Sequence, residues 1–208
     1  RIARGLLPVY TAEDMNTTQR DCDEISAASG GYAVCKSEGN GGSGNPSPYT
    51  ALGVAECMRI GARFVFVGTG IEHKWVLVEG VGNCGAEVAK YSLENGANVI
   101  IADKRKSAVD ACYRVMKNCL GDECDRRVVP LVIREEAFAA DQYAALRNRQ
   151  FDIYSPCAGG GVLNDASSSI LERAGVRLVC GSANNQLSGP EHGRELHDAR
   201  ILYLPDYV

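Results

Sequence analysis

The stretch at residues 75–103 constrains the fold most, because two short apolar runs flank a glycine turn and a helical pattern. Residues 75–79 and 98–102 are predicted strands, and a helix is predicted over 83–95. The turn after the first strand has the pattern Gly-x-Gly-x-x-Gly, and an acid follows the second strand. A lone glycine pattern says little. In this order, however, the elements predict a dinucleotide-binding unit rather than an ordinary strand–helix–strand crossover.

Each glycine of this turn has a distinct predicted role. Gly80 allows the tight turn after the strand, Gly82 lets a pyrophosphate approach the backbone, and Gly85 lets the helix pack against the sheet. The free N–H groups at the start of the helix then face the negative phosphates. The turn residues predicted to contact a cofactor are Gly80, Val81, Gly82, Asn83, Cys84 and Gly85.

Asp103 follows the second strand and is predicted to accept hydrogen bonds from the adenosine ribose hydroxyls. A carboxylate repels a 2′-phosphate, so this residue favours NAD over NADP. Lys104 and Arg105 follow at once and weaken that preference, because a neighbouring Arg can accept a 2′-phosphate. The sequence therefore predicts NAD, with Lys104 at the same site, and leaves NADP open.

The rest of the chain continues the alternation of short apolar strands and helices. Strands rich in Val and Ile that alternate with helices predict a parallel sheet buried on both faces. The fold class is therefore α/β, a Rossmann-type doubly wound and mostly parallel sheet with helices on both faces. Asp165 is the predicted N-cap of the helix at 165–174. Further strands are predicted at 128–133, 151–154, 176–180 and 200–204, and further helices at 105–119, 135–149, 165–174 and 190–198.

A different composition precedes this pattern. A helix is predicted from Thr17 to about Ser26, and residues 30–48 are rich in Gly, Ser, Asn and Pro, which predicts a loop or hinge. A second helix is predicted over residues 49–60, after Pro48.

Composition and charge exclude several classes of function. The formal charge of −4 argues against nucleic acid as a partner, and the absence of an apolar run of about 18 residues argues against a membrane span. The nine cysteines are scattered without a Cys-x-x-Cys pair, which favours free thiols in a reducing cytoplasmic compartment over disulfides or a zinc site. His73, His192 and His197 are predicted surface or loop residues, and no metal site is predicted.

Further segments identify a family. They are 11–14 (Thr-Ala-Glu-Asp), 43–51 (Ser-Gly-Asn-Pro-Ser-Pro-Tyr-Thr-Ala), 155–160 (Ser-Pro-Cys-Ala-Gly-Gly), 181–187 (Gly-Ser-Ala-Asn-Asn-Gln-Leu) and the chain end at 205–208. Together they resemble the amino-acid dehydrogenases of the leucine, valine and phenylalanine type, which are relatives of glutamate dehydrogenase. The resemblance implies a small substrate domain that faces a Rossmann domain across a cleft. It also implies NAD-dependent oxidation of an L-amino acid to an imino acid, which is hydrolysed to the 2-oxo acid and ammonia.

The resemblance assigns roles to individual residues. Asp14 matches the catalytic aspartate, which moves a proton from the amine and activates a water; on spacing alone it also reads as a helix cap. Thr50 matches a residue that holds the nicotinamide carboxamide, although a first-turn Thr often makes only a local bond. Ala158 and Gly159 match the loop beside the nicotinamide ribose.

Three further positions concern the ribose and the substrate. Asn184 and Asn185 match a loop whose amides orient the ribose and the substrate, and this loop follows the predicted strand 176–180. Ala12 matches a position that touches the substrate side chain, and its methyl group favours leucine or valine over phenylalanine. The resemblance thus divides the chain into a remnant of the substrate domain with a hinge at 1–45 and an NAD-binding domain at 46–208.

The chain also departs from the family pattern. Asn16 stands where glycine is usual, and Asn tolerates a positive φ better than most residues. Gly159 replaces a common leucine. Two lysines that the family carries upstream of Asp14, and a segment after Val208, have no match here. The chain is therefore expected to be a fragment that binds NAD but turns over amino acids poorly, with a homo-oligomer expected for the full-length protein.

Alternatives remain open at this point. A non-catalytic NAD-binding module is one, since the two lysines are missing. A phenylalanine or glutamate dehydrogenase is another, although the segments at 43–51 and 181–187 fit the leucine and valine branch better.

Overall fold

A computed structural model describes residues 9–14, 16–133 and 150–207. The chain forms two compact units, Arg1–Tyr49 and Thr50–Val208. The predicted helix at 135–149 lies outside the described residues. Within the described ranges, no helix is both long enough and apolar enough to cross a membrane.

The first unit is organised around helix α1 (Gln19–Ser29). Thr18 caps this helix through a capping box with Asp21, and Gly30 ends it in the left-handed conformation, so the helix begins and ends slightly later than predicted. Asp23 on α1 accepts hydrogen bonds from the backbone N–H (3.0 Å) and the hydroxyl (2.7 Å) of Ser37. The glycine-rich loop is thereby tied to α1.

The second unit contains a six-stranded sheet in which every pairing is parallel. The strands are β1 (Trp75–Glu79), β2 (Asn98–Asp103), β3 (Val128–Val132), β4 (Ile153–Pro156), β5 (Leu178–Cys180) and β6 (Leu202–Leu204). The helices are α2 (Ser47–Val65), which begins within the first unit, α3 (Asn83–Glu94), α4 (Lys106–Leu120), α5 (Cys124–Arg127), α6 (Asp165–Ala174) and α7 (Pro190–Asp198). This architecture confirms the predicted doubly wound α/β fold.

The strand order is β3-β2-β1-β4-β5-β6, so the direction in which the chain builds the sheet reverses between β1 and β4. In open α/β sheets, ligands bind at such a switch point, beyond the carboxyl ends of the strands. The register places Glu79, the last residue of β1, beside Ala102 of β2 and Pro156 of β4. The glycine turn therefore begins at the edge where a ligand is expected.

Two apolar layers cover the two faces of the sheet, which explains why its strands are apolar without alternation. Val76 and Val78 of β1 pack in one layer with residues of α2, α3 and α4, whereas Leu77 packs in the other with Leu171 of α6 and Leu196 of α7. Helices therefore lie on both faces, as predicted.

Three predictions about local structure need correction. The cap of α6 is Asn164, whose side chain accepts from the N–H groups of Ala166 (3.1 Å) and Ser167 (3.3 Å), and Asp165 is the first helical residue. Helix α2 begins before Pro48 because proline fits the first helical turn, where its missing N–H is not needed. His192 is 4% exposed on α7 and is not a surface residue.

Candidate cofactor-binding site

Gly80 starts the turn between β1 and α3 in a conformation that favours glycine, with φ of +90°. A Cβ atom there would lie 2.6 Å from the backbone nitrogen of Ala158, which belongs to the loop after β4. The backbone N–H of Gly80 donates to the carbonyl of Ala102 on β2 (2.7 Å). The turn is thus pressed against the loop after β4 and the end of β2 at the switch point.

Gly85 and Gly82 differ sharply in their surroundings. A Cβ atom on Gly85 would lie 1.8 Å from the carbonyl oxygen of Gly80 and 3.0 Å from Cβ of Cys157, so a side chain there would separate α3 from the turn. Among the described residues, a Cβ atom on Gly82 would meet only the guanidinium of Arg105, at 3.9 Å. Gly82 therefore has open space at its surface, as a phosphate group needs.

Gly82 is also the N-cap residue of α3, and no side chain caps this helix. The first-turn N–H groups of Asn83, Cys84 and Gly85 lie at this end of the helix. Uncapped N–H groups, together with the positive end of the helix dipole, suit a negatively charged phosphate. The fit between this turn and a dinucleotide pyrophosphate rests on these features.

Asp103 is held rigidly at the end of β2 and is only 6% exposed. Its Oδ2 accepts the N–H of Val81 (3.1 Å), and its Oδ1 accepts the backbone N–H of Arg105 (2.8 Å) and lies 3.4 Å from Nε of that side chain. Each carboxylate oxygen has two lone pairs, so Oδ2, which accepts one hydrogen bond, keeps capacity for a ribose hydroxyl. Lys104 is exposed beside it.

Glu79 is a buried acid that the sequence reasoning missed. It is the last residue of β1, and its Oε2 accepts a hydrogen bond from the hydroxyl of Tyr154 on β4. Burial raises the pKa of Glu79 and the charge of Asp103 raises it further, while the hydrogen bond from Tyr154 acts in the opposite direction. The signal in the sequence was an acid at the end of an otherwise apolar strand, directly before the glycine turn.

The loops after β4 and β5 lie against each other. A Cβ atom on Gly160 would lie 2.7 Å from the carbonyl oxygen of Asn184, and the N–H of Gly161 donates to the carbonyl of Asn185 (2.8 Å). Asn185 itself has a φ of +51°. Gln186, in the loop after β5, is fully buried, and its Nε2 donates to the carbonyl of Gly181 (2.9 Å).

The structure thus brings several predicted residues to one edge of the sheet. Ala158 contacts the position of Gly80, and the loop carrying Asn184 and Asn185 contacts Gly160. Both asparagines are exposed, and a Cβ atom on Gly159 would have no neighbouring atom within 4 Å among the described residues. Their contacts with a cofactor or a substrate stay predictions. Thr50 lies exposed in the first turn of α2.

Ala12 and Asp14 belong to the first unit, and both are exposed. The backbone of Asp14 forms a turn with Thr17, donating its N–H to Oγ1 (2.7 Å) and accepting from Oγ1 (2.8 Å). Because Thr18 is the cap of α1, the interpretation of Asp14 as a helix cap is wrong. Asn16 has a φ of +63°, which confirms that Asn takes the conformation expected where glycine is usual.

Cys84 and Cys157 lie in the site but are poor nucleophiles. Burial raises the pKa of Cys84 to about 11, although a hydrogen bond with Ser182 opposes the shift. Burial also raises the pKa of Cys157. Since the thiolate is the reactive form, both residues act as packing groups rather than as reactants. All nine cysteines are free thiols.

Comparisons with known proteins agree with the geometry. A family model described as Glutamate/Leucine/Phenylalanine/Valine dehydrogenase matches residues 41–208. The leucine dehydrogenase of Bacillus subtilis (strain 168) is 35% identical over 209 residues, covering 100% of this chain and 51% of that protein. The valine dehydrogenase of Streptomyces virginiae is 35% identical over 198 residues, covering 95% of this chain and 49% of that protein. The chain spans about half the length of the curated relatives that it matches.

Solved structures show the same fold. The L-tryptophan dehydrogenase of Nostoc punctiforme aligns with a TM-score of 0.65 at 24% identity, covering 95% of this chain and 49% of that one. The hetero-hexameric glutamate dehydrogenase of Thermus thermophilus aligns with a TM-score of 0.62 at 20% identity, covering 95% of this chain and 46% of that one.

Proposed function

Because this chain belongs to the family of glutamate, leucine, phenylalanine and valine dehydrogenases, we propose that it is part of an enzyme that oxidises a small aliphatic L-amino acid with NAD. The products are the 2-oxo acid and ammonia. The observation that carries this proposal is the glycine turn at the switch point of the sheet, with buried Asp103 hydrogen-bonded to it.

The chain's own residues have distinct tasks in this proposal. The N–H groups at the start of α3 bind the pyrophosphate, and the open face of Gly82 lets it come close. Asp103 orients the adenosine ribose, and Asn184 with the loop at Ala158 and Gly159 flanks the nicotinamide ribose. NAD, when bound, accepts the hydride from the α-carbon of the amino acid.

The preference for NAD follows from charge. The carboxylate of Asp103 is buried, so a 2′-phosphate beside it meets a negative charge that water screens poorly. Arg105 offsets part of that charge from an exposed position, 3.4 Å away. We expect the buried carboxylate to dominate, since salt and water screen the exposed guanidinium more strongly.

Asp14 is the proposed proton acceptor for the amine, Thr50 the proposed partner of the carboxamide, and Ala12 with Asn185 the proposed substrate contacts. A carboxylate suits proton transfer when it lies within hydrogen-bond reach of the reacting group. A leucine-, isoleucine- or valine-sized substrate follows from the methyl group of Ala12 and from the identity of the relatives. A cytoplasmic location and a homo-oligomer also stay predictions.

The test uses the protein encoded by the complete gene, supplied with NAD and single L-amino acids, and follows NADH by absorbance. We expect turnover of leucine, isoleucine and valine to exceed that of phenylalanine and glutamate. Asp14→Asn should lower kcat by about 100-fold or more while NAD affinity is kept. If no amino acid is oxidised although NAD binds, the chain belongs to a non-catalytic NAD-binding module and the proposal fails.

A further inference from the structure

A separate cluster of side chains joins the start of α6 to the first two turns of α7. Nδ1 of His192 lies 3.1 Å from Oε2 of Glu195 and 3.7 Å from Oδ1 of Asp165. These three atoms all lie within 4.8 Å of one another. The imidazole is buried, whereas both carboxylates reach solvent. One imidazole nitrogen and two carboxylate oxygens therefore converge from two helices.

The second ring nitrogen of His192 faces another carboxylate. Nε2 lies 3.6 Å from Oε1 of Glu191. When an ion is bound, the ring proton lies on Nε2, toward Glu191, and the lone pair of Nδ1, the nitrogen that faces Glu195 and Asp165, is available to the ion. Histidine ligands of metal ions are almost always oriented in this way, through a partner on the other nitrogen.

The cluster opens into a groove of about 540 Å³ between α6 and α7. Four of its lining residues are acids, namely Asp165, Glu172, Glu195 and Asp198, and neither lysine nor arginine is among the described lining residues. The hydroxyl of Ser168 donates to Oε2 of Glu195 (2.9 Å).

We propose that Asp165, His192 and Glu195 bind a divalent transition-metal ion of the Zn²⁺ type, with water from the groove as the fourth ligand. Tetrahedral zinc with N and O ligands requires about 3.4 Å between ligand atoms, and the two measured separations from Nδ1 bracket that value. An imidazole ligand selects zinc, nickel or copper over calcium and magnesium, which prefer oxygen alone.

Two forces compete at this site. The first turns of α6 and α7 carry the positive ends of two helix dipoles, which repel a cation. Two ligating carboxylates, with Glu191 behind the imidazole, present three full negative charges against two partial positive ones. The net field favours the ion, and because its ligands come from both helices, binding ties α6 to α7 and stabilises the fold.

The test is calorimetric titration of the 208-residue chain with ZnCl₂ at neutral pH, together with its thermal unfolding. We expect one tight equivalent and a higher Tm. Glu191→Gln, which changes the carboxylate behind the imidazole, should weaken zinc binding by about 10- to 100-fold. Glu195→Gln and Asp165→Asn each remove a ligand and should weaken zinc binding by more than that. Glu172→Gln and Asp198→Asn are matched controls, because they remove a charge from the same groove without removing a ligand, and should leave the affinity nearly unchanged.

The nine cysteines require a second readout, because thiolates also bind zinc. Co²⁺ bound at the proposed site should show no sulfur-to-metal charge-transfer absorption, and Cys119→Ser should keep the tight equivalent. The proposal is overturned if Glu195→Gln and Asp165→Asn bind zinc like the unsubstituted chain, or if the absorption reports thiolate ligands. It is also overturned if no tight equivalent is seen while circular dichroism shows a folded chain.

Discussion

Two alanine substitutions in the glycine turn separate packing from cofactor binding. At Gly85 a methyl group would lie 1.8 Å from the carbonyl oxygen of Gly80, so backbone must move by more than about 1 Å to restore ordinary contact. Overpacking of this kind costs about 1–3 kcal/mol or more. Alanine gains about 1 kcal/mol over glycine in a helix, which offsets only part of that cost. At Gly82 the nearest atom would be 3.9 Å away, and the change of the N-cap costs about 1 kcal/mol or less.

For NAD binding, in contrast to stability, we expect Gly82→Ala to have the direct effect. The methyl group of Gly82→Ala would stand where the pyrophosphate approaches, and the loss of a hydrogen bond to a charged group costs about 1.5–3 kcal/mol, or roughly 10- to 100-fold in Kd. Urea unfolding followed by circular dichroism gives the stabilities, and calorimetric titration gives the NAD affinities. We expect Gly82→Ala to be nearly as stable as the unsubstituted chain but to bind NAD weakly, and Gly85→Ala to be destabilised.

Each substitution checks the other. A folded Gly82→Ala chain that binds NAD as tightly as the unsubstituted chain would refute the idea that phosphate approaches at this residue. A Gly85→Ala chain of unchanged stability would show that the contact with Gly80 relaxes freely, and the packing argument would fail.

Three further predictions concern single residues. Asn164→Ala should destabilise the chain by about 1 kcal/mol in urea unfolding, and more than Asp165→Asn, because Asn164 caps α6; the reverse order would contradict this. Burial raises the pKa of Glu79, so its neutral form favours the fold at low pH and that contribution is lost as the pH rises through the raised pKa. Glu79→Gln should therefore lose less stability than the unsubstituted chain as the pH rises above the ordinary carboxyl range. Iodoacetamide at neutral pH should label exposed Cys119 well before Cys84, whose pKa is about 11, and equal rates by mass spectrometry would be inconsistent with burial of Cys84.

Much of the fold was predictable because its signals are local. Every described strand overlaps a predicted one, since short runs of Val and Ile bounded by turns identify buried parallel strands. The turn at 80–85 was predictable for the same reason, because Gly80 and Gly85 follow from local backbone requirements, whereas the predicted role of Gly82 is to leave room for a phosphate. Strand starts were less accurate: β4, β5 and β6 each begin two residues after the predicted position.

What the sequence did not reveal depends on contacts between distant residues. Glu79 and Tyr154 are 75 residues apart, and nothing in either segment indicates that they share a hydrogen bond. His192 has polar neighbours along the chain, so its burial follows only from how α6 packs beside α7. The cap of α6 was misassigned by one residue because Asn164 and Asp165 are both good cap residues, and only the backbone geometry decides between them.

The central claim is that the turn at 80–85 and Asp103 form an NAD site, and calorimetric titration of the 208-residue chain with NAD and with NADP tests it most directly. We predict NAD binding between micromolar and low-millimolar Kd, weaker binding of NADP, and a loss of NAD affinity in Asp103→Ser. Circular dichroism of the same samples reports whether the chain is folded. A folded chain that binds neither nucleotide, or that prefers NADP, would contradict the account.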